Sequence, residues 1–438
     1  MILTIDKLIY GGNGLARLPA DEKGPGKAVF LPLVLEGEQV EAGITEQKAG
    51  FARARAKKIV EASPHRVAPG CAYFGECGGC HYQHADYQHQ LQIKSAILRE
   101  TMRRVAKIEL DQEIRVHASP PWNYRNRTRL RLRTRPFVLG YNRLRWSELL
   151  AVEQCPISSP LINRAIAALW EMGRAGKTSA DVSEIELFAN ADDTRLLIEL
   201  TVHEVGWRHG RKSDLPQFVA ALRSALPEIT GVALFHAIGQ GALEREDIPA
   251  ELQQVFGADS LQYSTTAANY QVSAGSFFQT NRFLVDKLVE LATGGRSGDY
   301  ALDLYAGTGL FSLMLSQTFR EVSAVETAPF SFHDLKQNCP SNVAGYRVSV
   351  EEFLTKLPDG VKADLVVVDP PRAGLGEKVA SLLPATGTPC ITYVSCDPAT
   401  LARDLTLLVK SGYRIDEVHL VDLFPQTFHI ESVLQLAR

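Results

Sequence analysis

The chain has 438 residues, 45% of them hydrophobic and 22% charged, which is enough for two or three domains with full-sized cores. No run approaches the roughly 18 apolar residues of a membrane span, and the opening MILTIDKLIYGG lacks a signal-peptide layout, so membrane and secreted proteins are excluded as a first reading. The net charge of −3 divides unevenly: residues 1–150 carry 24 Lys+Arg against 15 Asp+Glu, and the remainder 23 against 35, which suggests a polyanion partner for the front half.

Residues 1–60 read as short strands, Ile2 to Leu8, Ala28 to Val34 and Gln39 to Ile44, punctuated by Gly11-Gly12-Asn13-Gly14. Their spacing suits a small barrel, and the segment finishes on Arg53, Arg55, Lys57 and Lys58. Next comes Cys71-x5-Cys77-x2-Cys80, with a distant Cys155-Pro156. Seven cysteines in all, an odd number without a signal, argue for a reducing compartment and against a disulfide framework. Four thiolates suit either zinc or a [4Fe–4S] cluster, and the spacing leaves both open. Asp86 to Val105 is expected to be helical, with Leu91, Ala96, Leu98 and Met102 as its apolar residues.

Arg125, Arg127, Arg129, Arg131, Arg133 and Arg135 stand at every second position. In one strand all six would leave the same face, about 6.6–6.8 Å apart. The neighbouring sequence offers almost no acids to offset them, so RNA phosphate is the expected partner, for the first few arginines more than the last, with Tyr124 and Trp122 available to stack on bases. Ile185 to Ala189 and Thr194 to Val202 read as neighbouring strands.

From about residue 265 strands alternate with helices, which indicates an α/β fold with a doubly wound parallel sheet. Asp303-Leu304-Tyr305-Ala306-Gly307-Thr308-Gly309 ends one strand and opens a helix, and Glu326 ends the next strand about 20 residues on. Such an acid accepts hydrogen bonds from ribose hydroxyls. The third glycine of a dinucleotide site is missing, so S-adenosylmethionine fits better than NAD. Asp369-Pro370-Pro371-Arg372 follows an apolar strand as a rigid turn beside cofactor and substrate. The following strand delivers Cys396 to the same crevice. A thiolate there suits methylation at a pyrimidine carbon: addition at carbon-6 of uracil makes carbon-5 nucleophilic enough to take a methyl group. The carbon-5 proton must then leave, and Phe424-Pro425-Gln426-Thr427-Phe428-His429-Ile430-Glu431 offers Glu431 and His429 as bases.

Together, Phe277-Phe278-Gln279-Thr280-Asn281, the glycine turn, Asp369-Pro370-Pro371-Arg372, Ser395-Cys396-Asp397-Pro398 and Gln426-Thr427-x-His429-x-Glu431 resemble the RNA uracil-5 methyltransferases. The front resembles their iron–sulfur bacterial ribosomal-RNA branch with an N-terminal TRAM domain. This resemblance implies that Gln279, Tyr305, Glu326 and Asp369 contact S-adenosylmethionine, that Cys396 is the nucleophile and that Glu431 is the base. It also implies a [4Fe–4S] cluster on Cys71, Cys77, Cys80 and Cys155. Leu310 departs from a polar residue that some members carry there, which puts that one cofactor contact in doubt.

The expected organisation is a TRAM/OB-like RNA-binding barrel over residues 1–62 and a central α+β domain with the cysteines and the basic strand over 63–264. A Rossmann-like class I methyltransferase domain follows over 265–438. The expected activity is transfer of a methyl group to carbon-5 of a flipped uridine in RNA by a cytoplasmic, monomeric enzyme. Ribosomal RNA is the first choice of substrate and transfer RNA the alternative. An exocyclic-amine methyltransferase would need no thiol and normally has an aromatic after the prolines, so Arg372 and Cys396 argue against it. A non-catalytic RNA-binding iron–sulfur protein would leave the rear motifs without a purpose.

Overall fold

The computed structural model describes residues 1–19, 26–144, 147–202, 214–237, 250–358 and 360–438. Six N-terminal strands, Ile2–Thr4, Lys7–Ile9, Asn13–Arg17, Ala28–Pro32, Gln39–Gln47 and Phe51–Glu61, form one sheet. The expected single strand over Ile2 to Leu8 is broken, because the Ile5 and Asp6 amides turn away to the carbonyls of Glu38 and Leu15. Alternation does the rest: Val29 and Leu31 point inward and join Leu3, Ile5, Val34 and Val40 in a separate small core. On Phe51–Glu61, Arg55, Lys57 and Lys58 are exposed, while Arg53 pairs with Glu46 at 3.2 Å.

Seven strands of the middle segment form a second sheet, in the order Leu149–Ala151, Phe137–Asn142, Arg127–Thr134, Val182–Ala189, Leu196–Val202, Ile229–Ala237, Ala250–Gly257. The helix Pro160–Arg174 packs on it through Leu161, Ile162, Ala165, Ile166 and Leu169, at helical spacing. Ser159 caps that helix by accepting from the Ile162 amide.

The third sheet has eight strands, ordered Val343–Tyr346, Phe319–Val325, Gly298–Leu304, Leu365–Val368, Cys390–Ser395, Glu431–Ala437, Arg414–Val421, Ile114–His117. The first five are parallel, as the alternating pattern predicts; Glu431–Ala437 runs antiparallel to both its neighbours. Ile114–His117 lies within residues 63–264 but pairs in this rear sheet with Arg414–Val421. A straight cut at residue 264 therefore passes through a folded unit.

The helix Tyr87–Thr101 belongs to the same unit. Asp86 caps it by accepting from the His89 amide at 2.9 Å, and its last turn widens into a π turn over Met102–Ala106. Leu91, Leu98 and Met102 are buried as expected, but Ala96 is exposed and its place on the inner stripe is taken by Ile97. Lys94 is also on that stripe and fully buried; its Nζ donates to Asp422 Oδ1 at 2.6 Å and to the Phe424 carbonyl at 2.9 Å. A buried ion pair is a poor source of net stability but costly to break, so it fixes where this helix meets residues 422–424. No helix among the described residues is long and apolar enough to cross a membrane.

Candidate active site

The crevice forms where the parallel strands end. At the end of Gly298–Leu304, Tyr305 adopts a left-handed backbone with φ 67°, a strained conformation of the kind that gathers at functional sites. At Gly309, φ is 87° and an added Cβ would lie 2.8 Å from Cys339 Sγ, so this turn admits glycine only. Glu326 closes the next strand and its two carboxylate oxygens accept from the Gly307 amide at 2.8 Å and the Ala328 amide at 2.7 Å. The carboxylate is thereby fixed against the glycine turn. Leu310 is buried in the core, and its carbonyl accepts from Tyr270 Oη at 3.1 Å, so its side chain serves packing.

Three acids gather at the strand ends. Burial drives Asp303 and Asp369 up to about 7, with Asp303 adding repulsion at Asp369. Asp303 Oδ2 accepts from Ser312 Oγ, while its buried Oδ1 has no protein partner. Burial, then the charge of Asp369, holds the Glu431 carboxyl well above the usual carboxylate range. Glu431 is only 5% exposed, so it is no surface residue at the end of a strand.

Topology explains how Glu431 reaches Cys396, 35 positions earlier in the chain. The strand Cys390–Ser395 runs toward the crevice and Glu431–Ala437 runs away from it, with Ser395 opposite Ser432. One strand ends and the other begins at the same edge, so Cys396 and Glu431 flank a single register position. Burial pushes the Cys396 thiol up to about 12, with Glu431 and Asp369 adding to the rise and the Arg372 guanidinium opposing it. His429, the other candidate base, is driven down to about 3 by burial and the nearby Arg372 and His81. A group that weakly basic suits proton abstraction less well than a buried carboxylate.

The loop that delivers Glu431 is held from outside the rear strands. Gln426 has φ 68°; its amide donates to Gln90 Oε1 at 3.0 Å, its Oε1 accepts from Gln90 Nε2 at 3.0 Å, and its carbonyl accepts from the His81 and Tyr82 amides at 2.8 and 2.9 Å. The helix Tyr87–Thr101 and the cysteine loop thus clamp the turn five residues before Glu431. Phe277-Phe278-Gln279-Thr280-Asn281 is tied to the same corner, since Asn281 Nδ2 donates to the Leu423 carbonyl at 3.1 Å. Gln279 is buried, while Phe277 is 63% exposed. The sequence pattern did not single out Gln90, Lys94 or Asp422: the signal of Gln90 and Lys94 was polarity at helical core positions, legible once the helix register is known, and Asp422 stands in the loop after the strand Arg414–Val421.

Cys71, Cys77, Cys80 and Cys155 line one cavity of about 240 Å³, together with Arg125 and Tyr141. Burial pushes the Cys77 thiol up to about 11 and Cys80 to about 12. Among the described residues, no set of three or more His, Cys, Asp or Glu side chains is placed to hold a metal ion.

The arginine series is split. Only Arg127 to Arg133 lie in the strand Arg127–Thr134; Arg125 precedes it and Arg135 sits in the turn beyond. Contrary to the expectation that acids are lacking, the neighbouring strands supply them: Arg127 pairs with Glu186 and Glu199, and Arg129 with Glu186. Arg127 and Arg129 thereby find their acids within the protein, although Arg129 stays exposed as Arg133 and Arg135 are, which reverses the expected preference for the first arginines over the last as RNA contacts. Tyr124 is fully buried with its hydroxyl on the Pro425 carbonyl at 2.9 Å, so it cannot stack on a base. Trp122 is half-buried beside Gly70.

Residues 86–438 match a family model described as tRNA (Uracil-5-)-methyltransferase. An uncharacterized RNA methyltransferase of Aquifex aeolicus is 33% identical over 441 residues, covering 99% of this chain and 97% of the relative. A 23S rRNA (uracil(1939)-C(5))-methyltransferase RlmD of Chromohalobacter salexigens is 33% identical over 451 residues, covering 100% of this chain and 89% of the relative. The Pyrococcus abyssi tRNA (uracil-54, C5)-methyltransferase, solved with S-adenosyl-L-homocysteine, shares the fold at a TM-score of 0.76, with 24% identity and full coverage of both chains.

Proposed function

Since the chain belongs to the tRNA (uracil-5-)-methyltransferase family, we propose that it transfers a methyl group from S-adenosylmethionine to carbon-5 of a uridine in 23S rRNA. It is an S-adenosylmethionine-dependent RNA uracil-5-methyltransferase. Ribosomal RNA is favoured over transfer RNA because full-length relatives named for 23S rRNA match at 30–33% identity. The observation that carries the chemistry is the antiparallel junction at Ser395 and Ser432, which supports Cys396 as nucleophile and Glu431 as base in one pocket.

In this mechanism Arg372 opposes the acidic field and favours the Cys396 thiolate, which adds to carbon-6 of a flipped uracil. S-adenosylmethionine supplies the methyl group as an electrophile at carbon-5. Glu431, kept basic by burial, then removes the carbon-5 proton, and the Cys396 sulfur leaves as the carbon-5 to carbon-6 double bond reforms. Glu326 suits the ribose hydroxyls, and Gln279, Tyr305 and Asp369 complete the proposed cofactor contacts. All of these groups come from one chain, which supports a monomer as the working unit, and an RNA substrate supports a cytoplasmic one.

Methylating purified ribosomal and transfer RNA with labelled cofactor tests the substrate. The label should appear as 5-methyluridine in 23S rRNA; label confined to transfer RNA would overturn the ribosomal assignment.

Cofactor affinity should depend on pH. Asp303 and Asp369 titrate at about 7 in the free protein, and their ionised forms complement a cationic cofactor. Calorimetry should therefore find affinity rising from about pH 6 to about pH 8. A raised carboxyl pKa also means stability that is present at low pH and is lost between the ordinary value of 3.8 and about 7, so the Tm of the free protein should fall as pH rises to about 7 and level off above it. A cofactor affinity that is flat from about pH 6 to about pH 8 contradicts the assignment.

Cys71, Cys77, Cys80 and Cys155 are the proposed ligands of a [4Fe–4S] cluster. Their fit is supported by the four-thiol donor set and by Arg125, whose buried Nε has no protein partner. The cluster would contribute negative charge beside Arg125 and order the loop that clamps Gln426. Anaerobically purified protein should be brown and absorb broadly in the visible; a colourless protein binding one zinc would sink the cluster. In the front half, exposed Arg55, Lys57 and Lys58 support a TRAM-like RNA contact, to which Arg133 and Arg135 add phosphate contacts.

A further inference from the structure

We propose that Tyr10, in the turn between the N-terminal strands Lys7–Ile9 and Asn13–Arg17, is a positioning residue of the methyl-transfer site. Its hydroxyl donates to the Cys396 carbonyl at 3.3 Å, a contact that spans 386 residues of sequence. Its ring packs edge-on against Phe428, with centroids 5.4 Å apart, and Phe428 in turn packs against His429 at 4.3 Å and His81 at 4.6 Å. One side chain thus touches the backbone of the nucleophile and the loop that delivers the base. Burial and the Asp397 carboxylate, a second acceptor within reach of the hydroxyl, keep the phenol protonated, and so a donor to this corner of the site.

The turn is seated rigidly enough to act in this way. Leu8 and Leu35 of the N-terminal segment are buried in the same core cluster as Ile93, Tyr393 and Leu434. Lys7 pairs with Glu100 on the helix Tyr87–Thr101. Gly12 lets the turn come close: its φ is 80°, and an added Cβ would lie 3.1 Å from His81 Cβ. Cys396 sits between the end of its strand and Asp397, which caps the following helix by accepting from the Ala399 and Thr400 amides. A donor on the Cys396 carbonyl restrains the backbone of that residue, and with it the point from which the side chain carrying Sγ projects. The N-terminal sheet is therefore part of the catalytic architecture as well as a candidate RNA contact.

This inference rests on the Cys396 and Glu431 reading, and its test separates the two. RNA carrying 5-fluorouridine at the target traps the intermediate. Sulfur adds to carbon-6, carbon-5 takes the methyl group, S-adenosylhomocysteine departs, and fluorine leaves no carbon-5 proton to remove. Single-turnover adduct formation is measured for the wild type, Tyr10→Phe and Tyr10→Ala, alongside equilibrium RNA binding. Tyr10→Phe loses only the hydroxyl and should slow adduct formation about tenfold, the worth of one hydrogen bond, with RNA affinity unchanged. Tyr10→Ala also frees Phe428 and should be slower still. Wild-type rates in Tyr10→Phe, or slowing matched by an equal loss of RNA affinity, would overturn the proposal. Should Tyr10→Ala fail to fold, Tyr10→Phe decides alone, because it keeps the packed ring. Absence of any adduct with the wild type would instead remove the covalent reading, and this one with it.

Discussion

Replacing Cys396 by Ala lowers methyl transfer by roughly 10⁴-fold or more, the scale on which enzymes lose activity with their nucleophile. The cofactor meanwhile binds as it does to the wild type. The reason is chemical: carbon-5 of uracil attacks a methylsulfonium poorly until carbon-6 carries a sulfur. The neighbouring carboxylates of Asp303, Asp369 and Glu431 do not replace that thiol. Cys396 is half-buried and lies outside the core clusters of the rear sheet, so the variant folds. Tritium transfer to RNA measures the first effect and calorimetry the second. Turnover near the wild-type rate would remove the covalent mechanism, and lost cofactor binding would make Cys396 structural.

Glu431→Gln separates addition from elimination. The amide keeps the shape of the side chain but cannot take the carbon-5 proton, so the methylated adduct forms and persists. Turnover falls by about 10² to 10⁴, the usual contribution of a general base, and a protein–RNA band resistant to denaturation appears on gels with ordinary uridine RNA. Stability moves the other way. Burial and the charge of Asp369 raise the Glu431 carboxyl well above its ordinary range, so its contribution to folding is present at low pH and is lost as pH rises from the ordinary carboxylate range to its folded value. The glutamine variant lacks that loss and should be the more stable protein above that value. A variant without accumulated adduct, or with the same decline in Tm on raising the pH as the wild type, contradicts this role.

The rear half was legible because its chemistry lies at strand ends and its strands are short apolar runs between glycine and proline turns. Glu326, Asp369 and Cys396 each follow directly on such a run, so their common crevice could be read from order alone. Strand direction could not be read that way. The antiparallel entry of Glu431–Ala437 lets Glu431 face Cys396, and local pattern does not encode it.

The arginine series misled for a related reason. Alternation announces that Arg127 and Arg129 share a face, but their acids, Glu186 and Glu199, lie more than 50 residues on and arrive by sheet pairing. Lys94, Gln90 and Tyr10 were hidden in the same way. Each meets its partner across more than 300 residues, and each looks locally like an ordinary polar or turn residue. What the sequence concealed is the bracing of the site, by the helix Tyr87–Thr101, the cysteine loop and the N-terminal turn.

The central claim is that uracil-5 methylation runs through a bond from Cys396 Sγ to carbon-6. Mass spectrometry of the protein after reaction with cofactor and 5-fluorouridine RNA tests it most directly. The account predicts a proteolytic peptide containing Cys396 that carries a 5-methyl-5-fluorouracil nucleotide. Methylated RNA with an unmodified Cys396 peptide, or an adduct on another residue, would contradict it.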